Sequence, residues 1–385
     1  MISSKPSARV LRFGSAAAAP GRKAWGQIFV REGKRAVRIP TAVVHGARPG
    51  RQVVLIANQH GGEVNGFEAV RRFVEGVDPR KVRGTIFAVP SANPEAAVRG
   101  KQALDERRPE ASGIGYFTPY NMNLLWPGRR GGSLVARVAR EIWERAVLAP
   151  HAKASLVLDL HGHEGPSAVY AGDEVAVTLG VATGLRHVHF TRTKRTPDRP
   201  RQLETLCREE GIGALTVELH RQFELVDASC AEGVRAIENL LIAAGVLRGR
   251  TRYAGPAFIH DPWHDHFEKP DPKQPSFWMP KARHRGLVLF HKRNGDLTRR
   301  GETVCEVFDP FLAKRVEVHR SGIHGIFDGR RLPQVEGVIP GAACAAGIRL
   351  CLVARCRRAD PAAAARRVPS LLPPVSGSST NEGVA

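Results

Sequence analysis

"VVLIANQHGGEVNG", residues 53–66, decides how this chain is read. Val53 to Ala57 are apolar without a break, the pattern of a strand buried on both faces rather than one. The run stops at His60. Gly61, Gly62 and Gly66 then surround Glu63, and Phe67, Val70, Phe73 and Val74 follow at helical spacing. A buried strand therefore ends in a glycine turn and feeds a helix. His60 and Glu63 stand three apart in that turn. Alone, they read either as half a metal site or as a plain strand end.

The same pattern recurs downstream. "GTIFAVPSANP" (84–94) and "ASLVLDLHGHEG" (154–165) are buried strands running into loops, and "GALTVELHR" (213–221) is a fourth strand. "SLVARVAREIWERAV" (133–147), "RQLETLCREEG" (201–211) and "CAEGVRAIENLLIAAGVL" (230–247) have helical spacing. Upstream, residues 25–46 read as short strands with turns. Strands alternating with helices imply an α/β fold, a central sheet with helices on both faces, out to about residue 250. Residues 254–280 lose periodicity. From 285 to 355 short β segments broken by glycine turns imply a small C-terminal all-β domain. The domains expected are 1–250, 251–358 and a disordered, low-complexity tail over 359–385.

In an open α/β sheet, ligands bind beyond the carboxyl ends of the strands. His60 and Glu63, then His161 and His163, then Glu218 all stand where buried strands end. Two histidines and one carboxylate are a hydrolytic zinc set with an open fourth position. Such chemistry also needs a base that takes and returns a proton, and Glu218 is a free carboxylate at the same edge. His163 rivals His161 on the same side of the strand. His161 sits nearer the strand end.

The motifs carrying this chemistry resemble one family. "NQHGGEVNG" (58–66) resembles the HGxExxG signature of the succinylglutamate desuccinylase/aspartoacylase family, a branch of the zinc carboxypeptidase-like group. "SANPEAAVRG" (91–100) resembles its NPxA segment. "YNMNLLWPG" (120–128) resembles DLNRxFPG, with Trp126 as the aromatic. "LDLHGHEG" (158–165) carries DLH, and "LTVELHR" (215–221) matches the stretch with the catalytic glutamate. The resemblance spans about residues 24–355. It implies the zinc carboxypeptidase-like fold, a mixed central sheet with helices on both faces. It implies one Zn2+ per chain on His60, Glu63 and His161, with Glu218 as general acid/base. Asp159, on the strand face of His161, is expected to orient that ligand.

The match is broken where the family grips its substrate. Leu124 stands where the family has a carboxylate-binding Arg. Asn121 replaces the leading Asp, Asn123 is kept, and Gln102 falls at a second Arg position. Leucine cannot replace a bidentate guanidinium. Arg99, Arg107, Arg108 and Arg129 are the candidates to compensate. Otherwise the substrate lacks that carboxylate.

The expected function is a zinc amidohydrolase that removes an acyl group from an N-acylated amino acid or amine. The alternatives are a carboxypeptidase-like peptidase or a catalytically impaired zinc-binding homologue. A net charge of +21 invites nucleic acid as partner. The basic residues are spread along the chain, though, and 6% aromatic content gives few stacking platforms. No specific nucleic-acid partner is expected, and self-association is left open. No apolar run reaches membrane-spanning length, and the N-terminus is a poor secretory signal. The expectation is a cytoplasmic protein without membrane contact. The six cysteines form no CxxC pair and read as free thiols. Two basic or polar stretches stay open. "TRTKRTPDRPR" (191–201) is a solvated loop or meets an anionic substrate group through Arg192, Lys194 or Arg199. "FIHDPWHDHFEKPD" (258–271) is a polar loop, a lid or a second metal site.

Overall fold

A computed structural model of the chain describes residues 9–103, 121–191, 202–260, 277–330, 343–344, 346–347 and 349–375. Strands β1 (Leu11–Phe13) and β2 (Ala16–Ala18) form a small hairpin. The α/β body then runs β3 (Arg22–Glu32), β4 (Arg35–His45), β5 (Arg48–Ala57), α1 (Val64–Gly76), β6 (Arg83–Val89) and α2 (Pro94–Val98). It continues through α3 (Leu134–Ile142), β7 (Leu156–His163), β8 (Ala168–Ala171), α4 (Glu174–Ala182) and β9 (His187–Phe190). It closes with α5 (Leu203–Glu209), β10 (Gly213–His220), α6 (Asp227–Ala243) and β11 (Ala257–His260).

The C-terminal part holds β12 (Phe277–Trp278), β13 (Gly286–Phe290), β14 (Leu297–Thr298), β15 (Thr303–Asp309) and β16 (Lys314–Arg320). It goes on through β17 (Gly325–Arg330), β18 (Ala343–Cys344) and β19 (Cys351–Ala354). The chain then returns to the body as β20 (Cys356–Ala359) and α7 (Pro361–Leu371).

The central sheet has ten strands in the order β20-β11-β9-β8-β10-β7-β5-β6-β4-β3. It is mixed. β6, β5, β7 and β10 run parallel, whereas β8 pairs antiparallel with β10 and then parallel with β9. Alternation along each strand splits the core in two. On one face Leu156, Leu158, Leu160, Val217 and Leu219 pack with Val70 and Phe73 of α1 and Leu240 of α6. On the other, Val54, Ile56 and Val157 pack with Val138 and Ile142 of α3 and Leu206 of α5. Burying both faces explains why these strands read as unbroken apolar runs. The C-terminal part packs two four-stranded sheets around Val304, Val307, Phe327 and Val353.

The disorder expected for 359–385 needs correction over 359–375, where the tail is described. Residues 356–359 pair antiparallel with β11, and 361–371 form a helix. Asp360 caps that helix by accepting from Ala362 N at 2.9 Å, and Pro361 occupies its first turn. Val368 and Leu372 are buried against the main core. The alanine run that looks like low complexity is also the best helix former, and two apolar anchors suffice to dock it.

Candidate active site

β5 delivers the chain to the site and the turn after it is held by neighbours. Asn58 adopts φ 56° and donates Nδ2 to His60 O at 2.7 Å. Ser91 Oγ donates to Asn58 Oδ1 at 2.7 Å, and Asn93 N donates to Asn58 O at 3.0 Å. The SANP segment is thus a bracket for the HGGE turn. The two glycines are steric necessities. A Cβ on Gly61 would fall 2.2 Å from Lys101 O, and one on Gly62 would fall 2.5 Å from the Phe223 ring.

This turn carries His60 and Glu63 to His161 at the end of β7. His60 Nδ1 lies 2.8 Å from Glu63 Oε1, and His161 Nδ1 lies 2.7 Å from Glu63 Oε2. One donor atom from each of His60, Glu63 and His161 lies within 4.8 Å of the others, and all three residues are buried. Each histidine is fixed from behind. His60 Nε2–H donates to Asn121 Oδ1 at 2.9 Å, and His161 Nε2–H donates to Asp159 Oδ2 at 3.0 Å. With the outer nitrogen carrying the proton, the inner Nδ1 has a lone pair for a metal. The donor set suits a divalent metal ion.

Asp159 is itself held. Gln59 Nε2 donates to Asp159 Oδ2 at 2.6 Å, and Trp126 Nε1 donates to Gln59 Oε1 at 2.9 Å. This chain of hydrogen bonds runs from Trp126 to His161 and is buried throughout. Gln59 and Asn121 escape sequence reasoning because their partners lie 61–102 residues away. The consecutive polar residues of "NQH" at a strand end are the local signal for Gln59, and the place of Asn121 in "YNMNLLWPG" is the signal for that residue.

Glu218 stands on β10 directly beside His161, Cα partner to Cα partner in a parallel pair. Its Oε2 is buried and has no hydrogen-bond partner. Burial and the nearby Glu63 carboxylate push Glu218 up to about 7. Glu63 moves the other way. Burial raises it, but His161 and His60 outweigh that and hold it at about 2. His161 is raised because Asp159 and Glu63 overcome the effect of burial. The site therefore has one firmly anionic carboxylate between two imidazoles and one carboxyl that exchanges protons near neutrality.

The other predicted residues separate clearly. Gln102 reaches the site, donating Nε2 to Glu63 Oε1 at 3.2 Å. Arg99 is exposed on the turn after α2 and pairs with Glu95 at 3.4 Å. Asn123 donates its backbone N to Asn121 Oδ1 at 3.0 Å, so Asn121, not Asn123, is the one that touches a histidine. Leu124 is half-buried, and Arg129 is exposed. His163 bonds Pro166 O at 2.8 Å and stays out of the cluster. Arg107, Arg108, Arg192, Lys194 and Arg199 lie outside the described residues, as do 261–271 of the His/Asp-rich stretch. A residue not anticipated is Gln222, which bridges Gly162 O at 2.6 Å and Glu63 Oε1 at 3.4 Å. It sits between Arg221 and Phe223, both at positive φ.

Residues 49–173 match the profile of the succinylglutamate desuccinylase/aspartoacylase catalytic domain. This segment belongs to that family. The desuccinylase/aspartoacylase match contains His60, Glu63, Asp159 and His161. Glu218 comes after it. A longer likeness is to N-alpha-acetyl-L-2,4-diaminobutyric acid deacetylase of Halomonas elongata, 23% identical over 307 residues, 77% of this chain and 82% of that one. Among solved structures, a succinylglutamate desuccinylase from Silicibacter superposes with a TM-score of 0.60 at 19% identity, covering 87% of this chain and 95% of the other. The product-bound ectoine utilization protein EutE (DoeB) of Ruegeria pomeroyi gives 0.59 at 18% identity, with the same coverage. These two show that the desuccinylase/aspartoacylase fold extends through both the α/β body and the C-terminal β part.

Proposed function

We propose that this protein is a zinc-dependent amidohydrolase that removes an acyl group from an N-acylated amine or amino acid. Nδ1 of His60, a Glu63 oxygen and Nδ1 of His161 would hold the ion. Glu218 is the general base and then the general acid. The observation that carries the reading is the closure of His60, Glu63 and His161 to 4.8 Å with the unpartnered Glu218 oxygen on the adjoining strand.

When bound there, zinc polarises the scissile carbonyl and acidifies the attacking water. Glu218 takes the proton from that water at Oε2 and returns it to the leaving nitrogen. A carboxyl on the strand beside His161 can serve both directions of transfer. Asp159 and Asn121 keep the two imidazoles in the tautomer that leaves Nδ1 free. Gln222 and Gln102 both donate to Glu63 Oε1 and so help to hold that carboxylate. The products are a carboxylate and a free amine.

The Halomonas elongata relative is a deacetylase of an acetylated diamino acid, which supports an acylated amine as substrate class. Gln102 spends its amide on Glu63 and Leu124 has no charge, so neither offers a cation to a substrate carboxylate. We therefore include acylated amines without a free carboxylate.

The test pairs metal content with turnover. Wild type, His60→Ala and Glu218→Gln are assayed on N-acetyl and N-succinyl amino acids and on carboxylate-free N-acetyl diamines. The expected result is turnover in wild type, loss of about one zinc per chain with His60→Ala, and metal kept but turnover lost with Glu218→Gln. A His60→Ala variant with unchanged zinc and turnover would overturn the reading.

A further inference from the structure

A second group of imidazoles lies on the same face of the sheet. β8 separates β9 from β10, which puts His187 two strands from Glu218, roughly 10 Å away. His187 and His189 alternate onto one face of β9, and His260 ends β11 directly opposite His189. All three are at most 4% exposed. Their rings crowd together, with centroids 4.1 Å apart for His189 and His260 and 5.5 Å for His187 and His260.

Their polar atoms are poorly satisfied. Nδ1 of His189 and Nδ1 of His260 are buried with no hydrogen-bond partner. Among the described residues, none of the three pairs with a carboxylate. A buried nitrogen without a hydrogen-bond partner destabilises the fold.

The remaining contact has the spacing of a metal pair. His187 Nδ1 and His260 Nε2 are 3.3 Å apart. That is long for an N–H···N hydrogen bond. Two nitrogens each about 2.0–2.1 Å from a tetrahedral ion are ~3.3 Å apart. We propose that His187, His189 and His260 form a second metal site, an all-nitrogen site for a borderline divalent cation such as Zn2+, Co2+, Ni2+ or Cu2+.

His189 is the ligand that must move. Among the described residues only His60, Glu63 and His161 already close to 4.8 Å. His189 stacks on Tyr170 at 4.8 Å with a 19° tilt, and no hydrogen bond holds its Nδ1. Turning the ring toward the His187–His260 pair exchanges that stacking for a metal–nitrogen bond. The site is distinct from the His60 cluster in residues and in strands, and it stands whether or not the hydrolase reading does.

The full-length protein is loaded with excess ZnCl2, desalted and counted by mass spectrometry. Wild type is expected to keep two zinc ions per chain, His60→Ala one, and His260→Gln one. Cobalt-loaded His60→Ala should show the visible absorption of tetrahedral cobalt, and the His60→Ala/His260→Gln double variant should lose it. One zinc in wild type and none in folded His60→Ala would overturn the proposal. So would a second zinc that survives both His260→Gln and His187→Gln, since it would lie elsewhere. If the His60 cluster were the one that fails, wild type would hold one zinc that His60→Ala keeps and His260→Gln removes. Should the His260 variant not fold by circular dichroism, His187→Gln makes the same assignment: a second zinc that it keeps overturns the proposal.

Discussion

Two sets of buried imidazoles share one face of this sheet, and their surroundings drive them in opposite directions. At the end of β7, burial disfavours charge on His161, but Asp159 and Glu63 overcome it and raise the group well above its ordinary value. Across β8, burial acts on His187 and His189 with no carboxylate among the described residues to oppose it, and both fall to about 3. The residue type and the depth are the same. What differs is the acid within hydrogen-bond reach. The first set is built around a fixed anion and the second is a nest of neutral nitrogens.

The sharpest way to break this comparison is to remove the acid–base partner of the first set. Glu218→Gln should lower kcat about 10²–10⁴-fold, read by steady-state kinetics on any turned-over acyl amine, with zinc content unchanged. An equally active variant would mean that Glu218 is only a buried carboxyl beside the histidines. Next comes the support behind His161. Asp159→Asn keeps the shape but weakens the acceptor, and should loosen metal about 10–100-fold in a competitive chelator titration. The same titration on Gln59→Ala, one bond further out, should give a smaller loss. Gly61→Ala tests the turn itself. With backbone 2.2 Å from the new Cβ, the HGGE turn must shift, and both metal affinity and thermal stability should fall.

The smallest effect asks whether a buried acid only partly offset by a cation is shifted by burial as the imidazoles are. Glu204 on α5 is buried and accepts from Gly172 N at 3.0 Å. Burial, only partly offset by Arg208, lifts it from 4.5 to about 7. A raised folded pKa means that the folded state holds the proton longer. Its stability contribution is full below about pH 4.5, is lost as pH rises through about 7, and is flat above. Glu204→Gln should remove that slope and stabilise the protein at pH 8 by about 1–3 kcal/mol. Urea midpoints at pH 5 and pH 8 measure it. An unchanged slope would assign the pH dependence to another group.

The parts of the molecule legible in sequence are those whose signal is local and long. β5, β6, β7 and β10 announce themselves as apolar runs because both sheet faces are covered. Helices α1 and α6 repeat their apolar residues at helical spacing. β8, β9 and β11 are four residues each, too short for a period, and β9 alternates histidine with apolar residues. α7 was hidden by an alanine run that composition alone treats as disorder. At the site, His60, Glu63, His161 and Glu218 were readable because ionisable residues ended apolar runs. Asn121, Gln59 and Gln222 were not, because their hydrogen bonds join segments 60–159 residues apart, beyond any short window.

By itself the sequence determined an α/β sheet, its strand ends, and the four ionisable residues placed there, since apolar periodicity and strand length are local consequences of burial. Only the tertiary structure decided which asparagine faces His60, that Gln222 reaches Glu63, and that three distant histidines meet at β9 and β11. Those outcomes depend on strand order and register, which set neighbours across the sheet and leave no trace in the spacing of residues along the chain.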